Sequence, residues 1–180
     1  MHASDRTLIA RLGFADPDKR DQLHDLACQY VVQPAAVEAM GLAVVASDKS
    51  TTPLRLDPSS RAQFECPISK GEGQYKTTIG FVDVVLPMGY DYLTKWHPVP
   101  VFVEVKIAPV GLGEVLRQIR LYEEYVGGQL WVLVAAFELS ESLVRGLRDE
   151  HVKPVQLGPN FRAWAAEQKS APRAADVVTI

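Results

Sequence analysis

Three charged residues stand where charge is hardest to keep. Residues 80 to 86 read Gly-Phe-Val-Asp-Val-Val-Leu and residues 101 to 107 read Val-Phe-Val-Glu-Val-Lys-Ile, the apolar, β-branched pattern of central strands covered on both faces. Side chains alternate across a strand, so Asp83 shares a face with Phe81 and Val85, and Glu104 and Lys106 share a face with Phe102. If the strands are neighbours in the right register, two carboxylates and an ammonium meet. Isolated buried carboxylates cost several kcal/mol or change protonation, so they need a cation, donors or water beside them. A divalent metal satisfies both, and metal-assisted chemistry is what such a set can carry. Just downstream, Glu114 to Tyr122 reads as helix, and Gln118 and Tyr122, four apart, project from one face of it.

The order Asp83, then Glu104-Val105-Lys106 on the next strand, then a helix, resembles the PD-(D/E)xK nuclease superfamily with its restriction-endonuclease-like fold. Val82 stands where the proline of the family's name would be. Gln118 and Tyr122 form Q-x-x-x-Y, which is similar to the extra motif of the RecB-like and phage-exonuclease branch. Only residues 76 to 126 carry this resemblance closely. It implies an α/β fold with an αβββαβ core, a central mixed sheet flanked by helices. It implies an enzyme as well: a metal-dependent nuclease that hydrolyses phosphodiester bonds of nucleic acid, DNA first, and leaves a 5′-phosphate. Asp83, Glu104 and the main-chain carbonyl of Val105 would hold Mg²⁺ or Mn²⁺, with Glu38 a further candidate ligand on a helix before the sheet. Lys106 would position the attacking water or stabilise developing charge, and Gln118 and Tyr122 would orient Lys106 or the substrate phosphate. Other readings on the same fold are a resolvase of branched DNA and a catalytically silent binding module. Without that company, Glu104 and Lys106 match a ladder pair on an edge strand, Tyr122 a core residue with a polar tip, and Glu38 a solvated glutamate.

The elements that must position these residues follow from hydrophobic spacing and punctuation. Ser4 to Leu12 reads as a short helix before Gly13, and Asp16-Pro17 as the cap and first turn of a helix to about Gln33 that buries Leu23, Leu26, Ala27, Tyr30 and Val31. Pro34 ends that helix or begins the next, Ala35 to Gly41. Leu42 to Ala46 fits a last helical turn or a short strand, and residues 47 to 60 a polar loop. Arg61 to Ile68 reads as a strand, Ser69 to Gly73 as a hairpin tip, and Gln74 to Leu86 as the strand carrying Asp83. Pro87 to Pro98 reads as an aromatic-rich loop, folded back over the sheet by Tyr92 and Trp96 or free to stack on bases, with His97 a loop residue. After the helix of about 113 to 126, with Arg117 and Arg120 as candidate phosphate contacts, Leu130 to Phe137 reads as a buried strand parallel to the Glu104 strand. Ser140 caps a helix to about Asp149, Val152 to Leu157 fits an edge strand, and Asn160 begins a helix holding Phe161 and Trp164. Residues 1 to 168 are expected to form one domain, with 169 to 180 a loose tail.

Composition agrees with a soluble globular chain: 180 residues, 47% hydrophobic and 23% charged, enough for a full core. A net charge of −3 argues against a strongly basic nucleic-acid coat but leaves room for a local basic groove around an acidic site. No apolar run approaches the roughly twenty residues of a membrane span, and the first residues lack the apolar core of a secretion signal, so a cytoplasmic protein is expected. The two cysteines, Cys28 and Cys66, lack the partners of a zinc site and read as reduced packing thiols. Without a DNA-reading element of its own, the chain is expected to take specificity from substrate structure, a homodimer or a partner protein.

Overall fold

The computed structural model describes residues 22–47, 50–71, 73–126 and 130–170. The expected helix at 4–12 and the cap at Asp16-Pro17 lie outside the described residues, as does the tail expected over 169 to 180 except for its first two residues, which continue the last helix. Helix α1 (Gln22–Val31) is followed at once by α2 (Pro34–Met40). Pro34 therefore begins a helix, where its missing N–H costs nothing, and Gly41 closes that helix at φ 57° with its N–H on the Glu38 carbonyl. Two strands, β1 (Ala43–Ser47) and β2 (Ser50–Pro53), form a separate antiparallel pair, so the stretch that fitted a last helical turn or a short strand is strand from Ala43 on. They lead through β3 (Arg55–Leu56) to β4 (Gln63–Lys70). The expected loop over 47 to 60 is thus corrected: it contains two strands, and β-branched Thr51 and Thr52 in a polar run are what pattern reading passed over.

The main sheet is built on two long strands, β5 (Thr77–Tyr92) and β6 (Lys95–Lys106), paired antiparallel from Val84↔Val103 to Tyr92↔Lys95. The aromatic loop over 87 to 98 is a correction as well, because these residues are the far half of that hairpin. Its turn, Leu93-Thr94, has φ of 47° and 65°, the twist of a type I′ hairpin turn without the Asn-Gly that usually announces one. Tyr90 stacks on His97 with ring centroids 5.3 Å apart, and Trp96 lies over Gly89, where a Cβ would meet the indole at 2.6 Å. His97 is therefore a strand residue.

From β6 the chain crosses through α3 (Leu112–Val126) to β7 (Leu130–Ala135), then through α4 (Glu141–Asp149) to β8 (Val152–Gln156) and α5 (Pro159–Ser170). Both β6–β7 and β7–β8 are parallel, so helical crossovers join them as expected. The strand order is β3-β5-β6-β7-β8, with β4 on the free side of β5. A mixed sheet flanked by helices, entered as helix, β4, β5, β6, α3, β7, is the αβββαβ core that the resemblance implies.

Two apolar layers clamp this sheet. On one face Val84, Val103, Val132 and Val134 pack against Ala27 and Val31 of α1, Val37 of α2 and Phe161 of α5. On the other, Trp131 and Leu133 pack against Val115, Ile119 and Tyr122 of α3 and Leu147 of α4. Strand β7 is buried along almost its whole length, which explains its unbroken apolar run. Helix α4 depends on its start: Ser140 Oγ accepts from the Leu143 N–H at 3.3 Å. Ser140→Ala is expected to cost about 1 kcal/mol, seen in thermal unfolding as a fall of roughly 2–4 °C.

Candidate active site

The site forms where β5 and β6 part. Their pairing stops at Val84↔Val103, one residue short of Asp83 and Glu104. From there β5 pairs only with β4, while β6 runs on beside β7 to Lys106. Asp83 fills the opening, its Oδ2 accepting the Val105 N–H at 2.7 Å in place of a ladder bond. A strand residue's N–H and C=O point to the same side, so the Val105 carbonyl also faces the gap. Across from Asp83, Glu65 of β4 takes φ 49°, a left-handed conformation for a non-glycine residue.

Glu104 is 1% exposed, the one fully buried charged side chain among the described residues. Its Oε2 accepts from Gln118 Nε2 at 2.9 Å and from Lys106 Nζ at 3.4 Å. Its Oε1 is buried with no partner. Burial first, then the charge of Asp83, pushes the Glu104 carboxyl up to about 8, against the opposing pull of Lys106. Lys106 Nζ also donates to Gln118 Oε1 at 3.2 Å, so Gln118 joins the acid and the base of the site through one amide. Its Nε2 lies 3.3 Å from Tyr122 Oη, which donates to the Phe81 carbonyl at 3.2 Å. Burial raises the Tyr122 phenol and keeps it protonated for that bond. Gly80 makes room for the ring, since any Cβ there would overlap the Tyr122 hydroxyl and edge.

The structure thus brings Asp83, Glu104, Lys106, Gln118 and Tyr122 into one cleft of about 440 Å³, with Val105 in its wall. It does not bring Glu38, which is exposed on α2 and absent from the lining. Arg117 and Arg120 are exposed and outside the lining too, and Arg120 is held at 2.6 Å by Glu150 at the end of α4.

Two residues that sequence reasoning missed line the cleft, Glu114 at the start of α3 and His24 of α1. His24 Nε2 stands 3.4 Å from Asp83 Oδ1. Its interaction with Asp83, outweighing burial and the charge of Lys106, holds the imidazole above its ordinary value. The available signal was position: His24 lies beside Leu23 and one turn before Ala27 and Cys28, on the edge of the buried stripe. Cys28 packs under it at 3.8 Å, a thiol pushed up by burial and so a packing group, and both cysteines are free.

Among the described residues no three His, Cys, Asp or Glu side chains stand together as a ready metal cage. The donor set still fits a hard divalent cation: the unpartnered Glu104 Oε1, the Asp83 carboxylate and a main-chain carbonyl are oxygen ligands of the kind Mg²⁺ and Mn²⁺ take, with water completing the shell.

No family model matches the chain, and no curated protein matches it. No helix among the described residues is long and apolar enough to cross a membrane. One solved structure is similar, the MspJI restriction endonuclease in complex with a 27-mer oligonucleotide, at 17% identity and a TM-score of 0.44. That match covers 94% of this chain and 32% of the endonuclease chain, so the chain spans about a third of the length of the protein it matches.

Proposed function

We propose that this chain is a divalent-metal-dependent nuclease that hydrolyses phosphodiester bonds, with DNA as its substrate. The observation that carries the reading is Glu104: a carboxylate buried to 1% exposure with an unpartnered oxygen, in an open cleft beside Asp83 and Lys106. A chain that only packed or bound would gain nothing from that arrangement, because a hydrophobic residue there is usually neutral or stabilising.

Asp83, Glu104 and the Val105 carbonyl hold the cation. When bound, Mg²⁺ or Mn²⁺ supplies Lewis-acid polarisation of the phosphoryl group and offsets its growing negative charge. Lys106, with a side chain 24% exposed, reaches both Glu104 and the cleft. It orients the attacking water and gives up or shares a proton as charge develops. Gln118 fixes the ammonium by accepting from it, and Tyr122 fixes Gln118. This relay supports the RecB-like and phage-exonuclease branch of the resemblance. His24 keeps Asp83 Oδ1 oriented.

The test uses labelled linear, circular, single-stranded and branched DNA and RNA with Mg²⁺, Mn²⁺ or EDTA. Cleavage with either metal and none with EDTA is expected. Folded, metal-binding protein that cuts none of these substrates would sink the reading.

A further inference from the structure

Past the cleft, β4 and β5 run on without the rest of the sheet. The β5–β6 ladder ends at Val84↔Val103, whereas β4 stays paired with β5 as far as Lys70↔Thr77. Because β5 and β6 are antiparallel, this two-stranded ribbon projects in the direction in which β6 carries Lys106, and Phe81 and Asp83 at its root line the cleft. The root is anchored: Cys66, Ile68, Ile79 and Val82 share one apolar cluster with Ile119, Tyr122 and Val126 of α3. From Asp83 to Thr77 the ribbon covers about 20 Å, at ~3.3 Å per residue.

The tip has a different chemistry. Gly71 takes φ 82°, and a Cβ there would meet the Tyr75 carbonyl at 2.7 Å. The chain therefore folds back closely through one 3₁₀ turn, Gly73–Tyr75, closed by the Lys76 N–H on the Gly73 carbonyl at 3.3 Å. This fixed backbone leaves Tyr75 78% exposed, the most open large hydrophobic side chain among the described residues. Lys70 and Lys76 are exposed beside it and, among the described residues, make no ion pair. From Lys70 to Lys76 the sequence carries two cations against one acid, Glu72. A lone exposed tyrosine is ordinary. At the end of an anchored ribbon that starts in the cleft, between two cations, it has the parts that hold a nucleic-acid strand: a ring for a base and ammonium groups for the adjoining phosphates.

Resting on the nuclease reading, we propose that the β4–β5 ribbon is an arm that grips the DNA strand leading away from the cleft, one base stacked on Tyr75 and neighbouring phosphates on Lys70 and Lys76. A ring takes a base face only where the base has left its own stack, so the gripped strand is unpaired. With one phosphate in the cleft, the strand reaches the tip after roughly six nucleotides at the stacked spacing of about 3.4 Å, and sooner if stretched. Tyr75 makes no contact with the reacting atoms.

End-labelled single-stranded DNA from about 4 to about 14 nucleotides long is titrated with the full chain in Ca²⁺ by fluorescence anisotropy, alongside cleavage of the same strands in Mg²⁺. Affinity is expected to climb about 5- to 100-fold over the lengths at which a strand first spans cleft and tip. Tyr75→Ala should lose the climb and Tyr75→Phe keep it, with unchanged melting temperatures because the ring is exposed. Lys70→Gln with Lys76→Gln should weaken the longer strands and lower the salt slope by about 1.4, at ~0.7 per single-strand phosphate contact. Blunt duplexes of the same lengths should show no climb. Cleavage by the wild type with no climb, with a climb that survives in Tyr75→Ala, or with an equal climb on duplexes overturns the arm alone. A climb that depends on Tyr75 without cleavage in Mg²⁺ upholds the arm and overturns the nuclease reading. Absence of both overturns both.

Discussion

Lys106→Met is expected to slow metal-dependent cleavage about 10²- to 10⁴-fold, the range that a positioned proton-transfer group supplies, while the protein still folds. The argument is geometric. Lys106 Nζ is 3.4 Å from Glu104 and 3.2 Å from Gln118, and among the described residues no other lysine or arginine lines the cleft. Methionine keeps most of the apolar stem and deletes the charge and its donors. Asp83 is left with its Val105 and His24 contacts, so the cation should still bind through Asp83 and the Val105 carbonyl. Arginine should not rescue the loss, because a planar fork cannot replace a compact ammonium held between one carboxylate and one amide. Single-turnover cleavage beside Mn²⁺ binding separates the two effects. Undiminished single-turnover rates in Lys106→Met would remove lysine from the mechanism; loss of Mn²⁺ binding together with rate would instead make it a support for the metal site.

The centre of the site was legible because strand geometry has period two. Alternation lets Asp83, Glu104 and Lys106 meet if their strands are neighbours in the right register, and the register Val84↔Val103 supplies that condition. Parallel pairing of β6 with β7 was equally legible, since a helix-length segment between two apolar strands leaves little other geometry. The hairpin beyond Leu86 was not. Pro87, Gly89, Pro98 and Pro100 are loop punctuation in any single-strand reading, and only cross-strand pairing of Pro87 with Pro100 and of Gly89 with Pro98 turns them into ladder. The Leu93-Thr94 turn adds no glycine to announce itself, because the strands on either side hold its positive φ angles. His24 was hidden for another reason. Its importance comes from where α1 docks against the gap between β5 and β6, a tertiary fact with no periodicity in the chain. The same cause leaves Glu38, a candidate through the resemblance, and Arg120, a candidate by its place on the helix, outside the cleft, both carried elsewhere by the packing of their helices.

Glu104→Gln is expected to make the metal-free protein more stable at pH 8 while abolishing cleavage. In the wild type, burial and Asp83 push the Glu104 carboxyl up to about 8 from an ordinary value of 4.5, so between those limits the folded chain binds more protons than the unfolded one. Stability contributed by the protonated acid is complete below about pH 4.5. It drains away as pH rises through about 8, the reverse of a salt-bridged carboxylate. Glutamine has no proton to lose. Its carbonyl can accept from Gln118 and Lys106 as Oε2 does now, and its amide nitrogen takes the position of the unpartnered Oε1 and can donate toward Asp83. The gain is expected to be on the order of 1–3 kcal/mol at pH 8, the cost of a buried unsatisfied polar group, and to close as pH falls toward 4.5. Mg²⁺ should act oppositely on the two proteins. It should raise the wild-type melting temperature and flatten its pH dependence, because a bound cation favours the charged acid, and leave the variant nearly unmoved. Thermal unfolding from pH 5 to pH 9 with and without Mg²⁺ reads all of this. A metal-free wild type whose stability is flat across that range, or a cation that shifts both proteins alike, would mean that Glu104 is neither strained by its burial nor relieved by metal. A stable, inactive Glu104→Gln would instead identify the carboxylate as a group kept for the reaction at the expense of the fold.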